Sequence, residues 1–110
     1  MPIDKDLLVN EDIGALGTKN TEILGASSGL NSTVFLTHTG AGTLTLTARF
    51  FADRDDPNTY YDVELGTCAT GETLMAKATE SDYAYDGVQF RLVASVDTCP
   101  GTKLYHDQLV

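Results

Sequence analysis

Thr43-Leu44-Thr45-Leu46-Thr47-Ala48-Arg49-Phe50 decides the fold class. Leu44, Leu46, Ala48 and Phe50 fall on one face of an extended chain. Thr43, Thr45, Thr47 and Arg49 fall on the other. Period-two alternation with β-branched residues on the polar side predicts a half-buried strand. Val88 opens a second such run. Val88, Phe90, Leu92, Ala94 and Val96 share a face, against Gln89, Arg91, Val93 and Ser95. A third, Thr33 to Thr39, sets Val34 and Leu36 opposite Phe35 and Thr37. Shorter candidates are Tyr60 to Leu65, Thr73 to Lys77 and Lys103 to Leu109, with Thr21 to Leu24 the weakest.

Turn residues fill the gaps. Gly40-Ala41-Gly42 reads as a short hairpin link, Asp53 to Asn58 as a polar loop containing Pro57, and Cys99-Pro100-Gly101 as a turn. Short strands with turn signals at this spacing predict an all-β chain. The architecture expected is an antiparallel β-sandwich, jelly-roll-like or immunoglobulin-like. Leu44, Leu46, Phe50, Phe90, Leu92 and Val96 are its expected core. Only Gly71 to Glu80 also reads as a short helix, with Leu74, Met75 and Ala78 as its stripe.

The beginning of the chain has a different texture. Leu7, Leu8, Val9, Ile13, Leu16, Ile23 and Leu24 are scattered among Gly, Ser, Asn and acidic residues, and Gly25 to Ser32 reads as a linker. Two readings stand for the start: a strand packed on the sandwich, or an extended N-terminal arm docked on a neighbouring subunit. The second divides the chain into an arm and linker, 1–32, and a sandwich domain, 33–110.

Composition narrows the function classes. The 110 residues suit one domain, and 42% hydrophobic residues are too many for a disordered chain. Seven Lys and Arg stand against 16 Asp and Glu, a net charge of -9 that would repel a nucleic-acid backbone. No apolar run approaches the roughly 20 residues of a membrane-spanning helix. The start, Met1-Pro2-Ile3-Asp4-Lys5-Asp6, lacks the basic-then-apolar order of a secretory signal, so none is expected. The expected partners therefore include no nucleic acid and no membrane.

Chemical motifs are sparse. Cys68 and Cys99 each follow a candidate strand and precede a turn, which makes them a candidate disulfide at one end of a sandwich. Reduced, partly buried thiols are the alternative. Neither has a Cys or His at zinc-ligand spacing. Asp53, Asp55, Asp56 and Asn58 loosely resemble the start of a calcium loop. Glu64 matches its twelfth position, but Asn58 stands at the sixth, where the pattern needs Gly. A solvated turn, its charge partly offset by Arg54, is the plainer reading. His38 and His106 are read as surface or strand-end residues, since no nucleophile elbow, phosphate loop or dinucleotide fingerprint accompanies them. No catalytic residue, cofactor or metal is expected. Candidate interface residues are Leu7, Leu8, Val9 and Ile13 near the start, and Tyr60, Tyr61, Tyr83 and Tyr85 at strand ends. A tyrosine ring there offers rigid contact area with a polar tip, or simply covers an open end of the sandwich.

Thr43 to Asp97 reads as one unit. A Thr-rich strand, Thr-Leu-Thr-Leu-Thr-Ala-Arg-Phe-Phe-Ala-Asp, leads into an acidic loop with Pro57-Asn58. Tyr60-Tyr61-Asp62-Val63-Glu64-Leu65 follows, and Tyr85-Asp86-Gly87-Val88-Gln89-Phe90-Arg91-Leu92-Val93-Ala94-Ser95 closes the unit. This half of the chain resembles small β-sandwich structural proteins of tailed bacteriophage virions, although it has no Trp in the loop and carries two cysteines. The resemblance implies a non-enzymatic virion protein located in the virion, such as a capsid decoration or cement subunit. Its implied partners are the major capsid protein or other virion proteins, and further copies of itself as a homo-oligomer. The alternatives are a carbohydrate-binding or receptor-binding sandwich module, or a tail, neck or fibre component.

Overall fold

The computed structural model describes residues 3–25, 31–77 and 85–109. Its strands in chain order are β1 (Ile3–Ile13), β2 (Thr18–Asn20), β3 (Leu24–Gly25), β4 (Asn31–Thr37), β5 (Leu44–Phe51), β6 (Tyr60–Cys68), β7 (Thr73–Lys77), β8 (Gly87–Ala94) and β9 (Cys99–Leu109). The described residues contain no helix, and every strand pairing is antiparallel. One sheet has the order β1-β9-β4-β7; the other has β2-β8-β5-β6, with β3 also on β8. β2 pairs with Arg91–Val93 and β3 with Gly87–Val88, so the two are successive parts of one interrupted strand. Counted so, eight strands form two sheets of four, and the order within each is that of a jelly roll. The chain is an all-β antiparallel sandwich, and the jelly roll is the member of the two expected types that its connectivity matches.

The alternation in the sequence sets the core. In β5 and β8 the predicted inward residues Leu44, Leu46, Ala48, Phe50, Val88, Phe90, Leu92 and Ala94 are buried. Val34 and Leu36 of β4, Leu104 of β9 and Val9 of β1 meet them from the facing sheet. Fully burying each of the larger side chains stabilises the fold by roughly 1.5–3 kcal/mol. Val96 departs from the expectation and is 74% exposed. β8 ends at Ala94, and the Ser95 N–H bonds to the Thr43 carbonyl at 3.0 Å as the chain turns away. The alternation continues in letters after the strand has stopped.

Residues 73–77 form the strand expected there and not the helix that Gly71 to Glu80 also allowed, because Leu74 and Ala76 alternate inward and pair with Leu36 and Val34 of β4; residues 78–80 lie outside the described ones. Two other expectations are corrected. Gly40-Ala41-Gly42 is not a hairpin, since β4 and β5 belong to different sheets. The segment carries the chain around a corner against residues 97–100. A Cβ on Gly40 would overlap Pro100 and the Thr98 carbonyl, and one on Gly42 would lie 2.7 Å from Cys99 Sγ. Close approach of two backbones, not turn geometry, is what requires glycine there. The start of the chain is not an arm reaching away from the sandwich. β1 pairs along β9 from Ile3↔Leu109 to Ile13↔Cys99, with Val9 and Ile13 in the core. The division between residues 32 and 33 therefore does not coincide with a break in the sheets.

Local devices hold the edges. Lys19 and Glu11 form an exposed ion pair at 2.8 Å between β2 of one sheet and β1 of the other. Where β2 gives way to β3, buried Thr21 replaces the missing ladder. Its N–H donates to the Phe90 carbonyl at 2.9 Å, and its hydroxyl oxygen accepts from the Phe90 N–H at 3.0 Å. In β6 the pairing shifts between Leu46↔Gly66 and Thr47↔Glu64, leaving Leu65 as the extra residue of a bulge. Gly66 takes φ +151° there, and a Cβ would sit 3.1 Å from Leu74 Cδ1.

Candidate functional site

The links β1–β2, β4–β5, β6–β7 and β8–β9 gather at one end of the sandwich. Hydrogen bonds lace them together. Leu16 N–H donates to Ser95 O at 2.7 Å, Gly42 N–H to Thr98 O at 3.0 Å, and Thr39 N–H to Pro100 O at 3.0 Å. The Thr70 hydroxyl donates to the Gly40 carbonyl. Beneath these loops lie His38, Cys68 and Cys99, all buried. The His38 Nδ1 accepts from the Gly40 N–H at 3.2 Å, which leaves Nε2 to carry the proton and donate to the Cys68 carbonyl at 2.9 Å. His38 is thus a cross-brace between the ends of β4 and β6. It was expected at a surface or strand end, and it closes a strand but from inside the molecule.

Cys68 and Cys99 are free thiols. The candidate disulfide is not formed in this structure. The Cys68 thiol lies 3.4 Å from the carbonyls of Leu36 and Glu72. Burial pushes both thiols up from their ordinary range, and the nearby carboxylates Glu72 and Asp97 add to this at Cys68 and Cys99 respectively. A thiol held protonated and out of solvent is a poor nucleophile. With both His38 nitrogens committed to backbone groups, the cluster has the chemistry of a packing element. His106 is also interior. It stands on β9 opposite Val34, its ring tilted against Phe90 with centroids 5.6 Å apart.

The opposite end carries the loop between β5 and β6. Its carboxylates serve the loop's own backbone. Asp53 Oδ1 accepts from the Asp55 N–H at 3.0 Å, and Asp56 Oδ1 from the Asn58 N–H at 3.1 Å. Thr59 closes the loop, its N–H donating to Asp56 O at 3.1 Å and its hydroxyl oxygen accepting from the Asp53 N–H at 3.1 Å. Among the described residues no three His, Cys, Asp or Glu side chains are grouped to hold a metal ion. Arg54 pairs with Asp86 at 3.6 Å, not with the loop's own carboxylates.

The tyrosines divide. Tyr60 and Tyr61, at the start of edge strand β6, are 49% and 56% exposed. The Arg49 guanidinium sits 3.9 Å over the Tyr60 ring and grips Asp62 through two bonds, Nε to Oδ1 at 2.8 Å and Nη2 to Oδ2 at 3.1 Å. The hydrogen bonds that Arg49 donates to Asp62 push its pKa up from the ordinary value, so this cation is fixed. Tyr85 is buried instead, edge-on to Phe50 with centroids 4.8 Å apart, so it covers the core and offers no interface. Tyr83 lies outside the described residues. Near the start, Leu7 is 46% exposed and Leu8 half-buried, whereas Val9 and Ile13 are core residues and not interface residues.

The most exposed apolar side chains include two that sequence reasoning did not single out as surface. Leu16, 71% exposed, adopts φ 59° in the β1–β2 link, and Val96 lies on the neighbouring β8–β9 link. A large residue in the left-handed region carries strain that the Leu16–Ser95 hydrogen bond helps to hold. Met75 of β7, read above as part of a helical stripe, points outward and is 66% exposed.

No family model and no curated protein matches the chain. Solved structures do. VP2 of infectious bursal disease virus, in derived T=1 particles, superposes with a TM-score of 0.58 at 7% identity over 96% of this chain and 31% of that one. PirA matches with a TM-score of 0.54 at 11% identity, over 96% of this chain and 91% of PirA. The N-terminal CBM22-1–GH10 modules of an endo-1,4-β-D-xylanase from Clostridium thermocellum, complexed with xylohexaose, match with a TM-score of 0.50 at 11% identity. There the overlap is 94% of this chain and 28% of that one. The chain spans about a third of the viral and xylanase chains it resembles. At these identities the likeness is one of fold: a β-sandwich used by a viral capsid protein, a similarly sized protein and part of a glycosidase.

Proposed function

We propose that the chain is a non-enzymatic structural subunit of a virion, a decoration or cement protein that binds the outer capsid lattice of a tailed bacteriophage. One observation carries the reading. A jelly roll with net charge -9 holds its histidines and thiols inside as packing elements, and leaves Leu7, Leu16, Tyr60, Tyr61, Met75 and Val96 in solvent. Such exposed side chains on an otherwise polar surface offer area for contact with other proteins. The sandwich shared with a virus capsid protein and the sequence resemblance to phage structural proteins support the same reading. Cementing works by area. A standard interface buries about 1,600 Å² in total, and many copies on a lattice reinforce one another without any single strong contact.

The test is the heat resistance of the particle. Particles stripped of the chain should release their contents at a lower temperature, and adding the purified chain back should restore the original value. Unchanged resistance would reject cementing and move the chain to the tail, neck or fibre. Saturable glycan binding lost on Tyr61→Ala would instead support the sugar-binding alternative, as would no binding to particles at all.

A further inference from the structure

The register of the first sheet sets three rows of residues at right angles to its strands. The middle row is apolar. Leu7 of β1 pairs with Tyr105 of β9, Tyr105 with Phe35 of β4, and Phe35 with Met75 of β7. Their chain neighbours Val34, Leu36, Leu74, Ala76 and Leu104 belong to the core, so these four face outward. Leu7 and Met75 are exposed, Phe35 and Tyr105 half-buried. A polar row flanks this one on either side. In the order β1-β9-β4-β7, one flank reads Lys5, Asp107, Thr33 and Lys77. The other reads Asn10, Lys103, Thr37 and Thr73. Each flank thus has its own charge pattern, and the two patterns differ.

We propose that this face binds the same face of a second copy, about a two-fold axis running along the apolar row. The rows select both the occupant and the axis. A half-turn about the row lays each apolar residue over its own counterpart, β1 over β1, and exchanges the flanks. The Asp107 position then lies over Lys103 of the second copy, and symmetry supplies the match twice. Lys77 meets Thr73, Lys5 meets Asn10 and Thr33 meets Thr37, so no like charges are opposed. The other two-fold, along the strands, reverses the strand order and lays each flank on itself. It would set Lys77 over Lys5 twice, like charge against like. A face whose rows complement one another after a half-turn suits an isologous contact, and a second copy satisfies it at every row. Sheets stacked in this way lie about 10 Å apart with strands aligned to within about 30°. The long Lys103 side chain spans the offset that this rotation introduces. Four strands of five to seven paired residues present a face of about 400 Å². That is half the roughly 800 Å² per partner of a standard interface, so the dimer is reversible and not obligate. This goes beyond the virion reading and does not depend on it.

Sedimentation velocity on the whole chain over a concentration series tests it. The wild type should pass reversibly from monomer to dimer and stop there, because a two-fold contact closes on itself. Met75→Glu sets two carboxylates against each other across the axis and should weaken the dimer by about tenfold or more. Met75 is exposed, and unchanged melting by circular dichroism confirms folding; Leu7→Glu is the second apolar-row variant. Lys103→Asp and Asp107→Lys should each weaken the dimer by about tenfold when alone. The decisive sample is their mixture. One chain then carries acid at both positions and the other lysine at both, so equal parts should form a one-to-one heterodimer tighter than either homodimer. The double variant Lys103→Asp/Asp107→Lys should recover the wild-type dimer. A wild type that stays monomeric throughout, or that grows beyond a dimer, overturns the proposal. So does a mixture no tighter than its components. A Lys77→Asp variant that tightens the dimer also overturns it, as the mark of an axis along the strands.

Discussion

The two ends of the sandwich are built differently. At one, four links converge, backbone bonds cross between them, and His38 and both thiols are sealed beneath. At the other, the described loop satisfies its own backbone with Asp53, Asp56 and Thr59 and stays in solvent. The first end spends its polar residues on long-range bracing, such as His38 to Cys68 thirty positions away. The second spends them mainly within the loop, and its tie from Arg54 to Asp86, 32 positions away, lies in solvent. Long-range bracing makes an end part of the cooperative fold, whereas local bonding leaves it free to vary and to make contacts.

The largest effect should come from the core on which both ends depend. Phe90→Ala should destabilise by about 3–5 kcal/mol in urea unfolding. Next is the braced end. His38→Ala would leave the buried Cys68 carbonyl and Gly40 amide without their partner, and should cost about 2–4 kcal/mol. A loss below about half a kcal/mol there would remove the distinction between the ends.

The thiols give a pH signature to the same end. Folded Cys68 and Cys99 hold their protons to higher pH than the unfolded chain does. The native state therefore binds more protons once pH passes the ordinary thiol value, and stability falls. This contribution is fully present below about pH 8.5 and fades as pH rises through the folded values. The Cys68→Ala/Cys99→Ala variant should show a shallower alkaline decline in denaturation midpoint than the wild type. At neutral pH a thiol reagent should modify both cysteines at the rate of unfolding. The smallest effect belongs to the other end, where Asp55→Ala should stay within about 0.5 kcal/mol of wild type.

Much of the fold was legible because alternation is local. Leu44 to Phe50 and Val88 to Ala94 declare their buried face without reference to the rest of the chain. What was not legible depended on partners distant in sequence. Gly40 and Gly42 resemble a hairpin until Thr98 to Pro100 packs against them. The irregular β1 gains its order from β9, with register shifts at Leu7/Val9 and Glu11/Ile13 that blur its period of two. The exposure of the interface candidates was partly legible. Leu7, Tyr60 and Tyr61 are exposed, but Tyr85 lies over Phe50, and Met75 emerged only when strand register put it beside Phe35. Alternation in Phe35, Met75 and Tyr105, three outward apolar residues on three strands, was the signal available. It needed the strand order to bring the three side by side.

The central claim is that this chain acts through its outer faces as part of an assembled particle. Electron microscopy of the particle that carries it tests this most directly. The account predicts jelly-roll density on the outer shell, with Leu7, Met75, Tyr60 or Tyr61 buried in a contact. Particles without the chain, or density with Leu7, Met75, Tyr60 and Tyr61 all facing solvent, would contradict it.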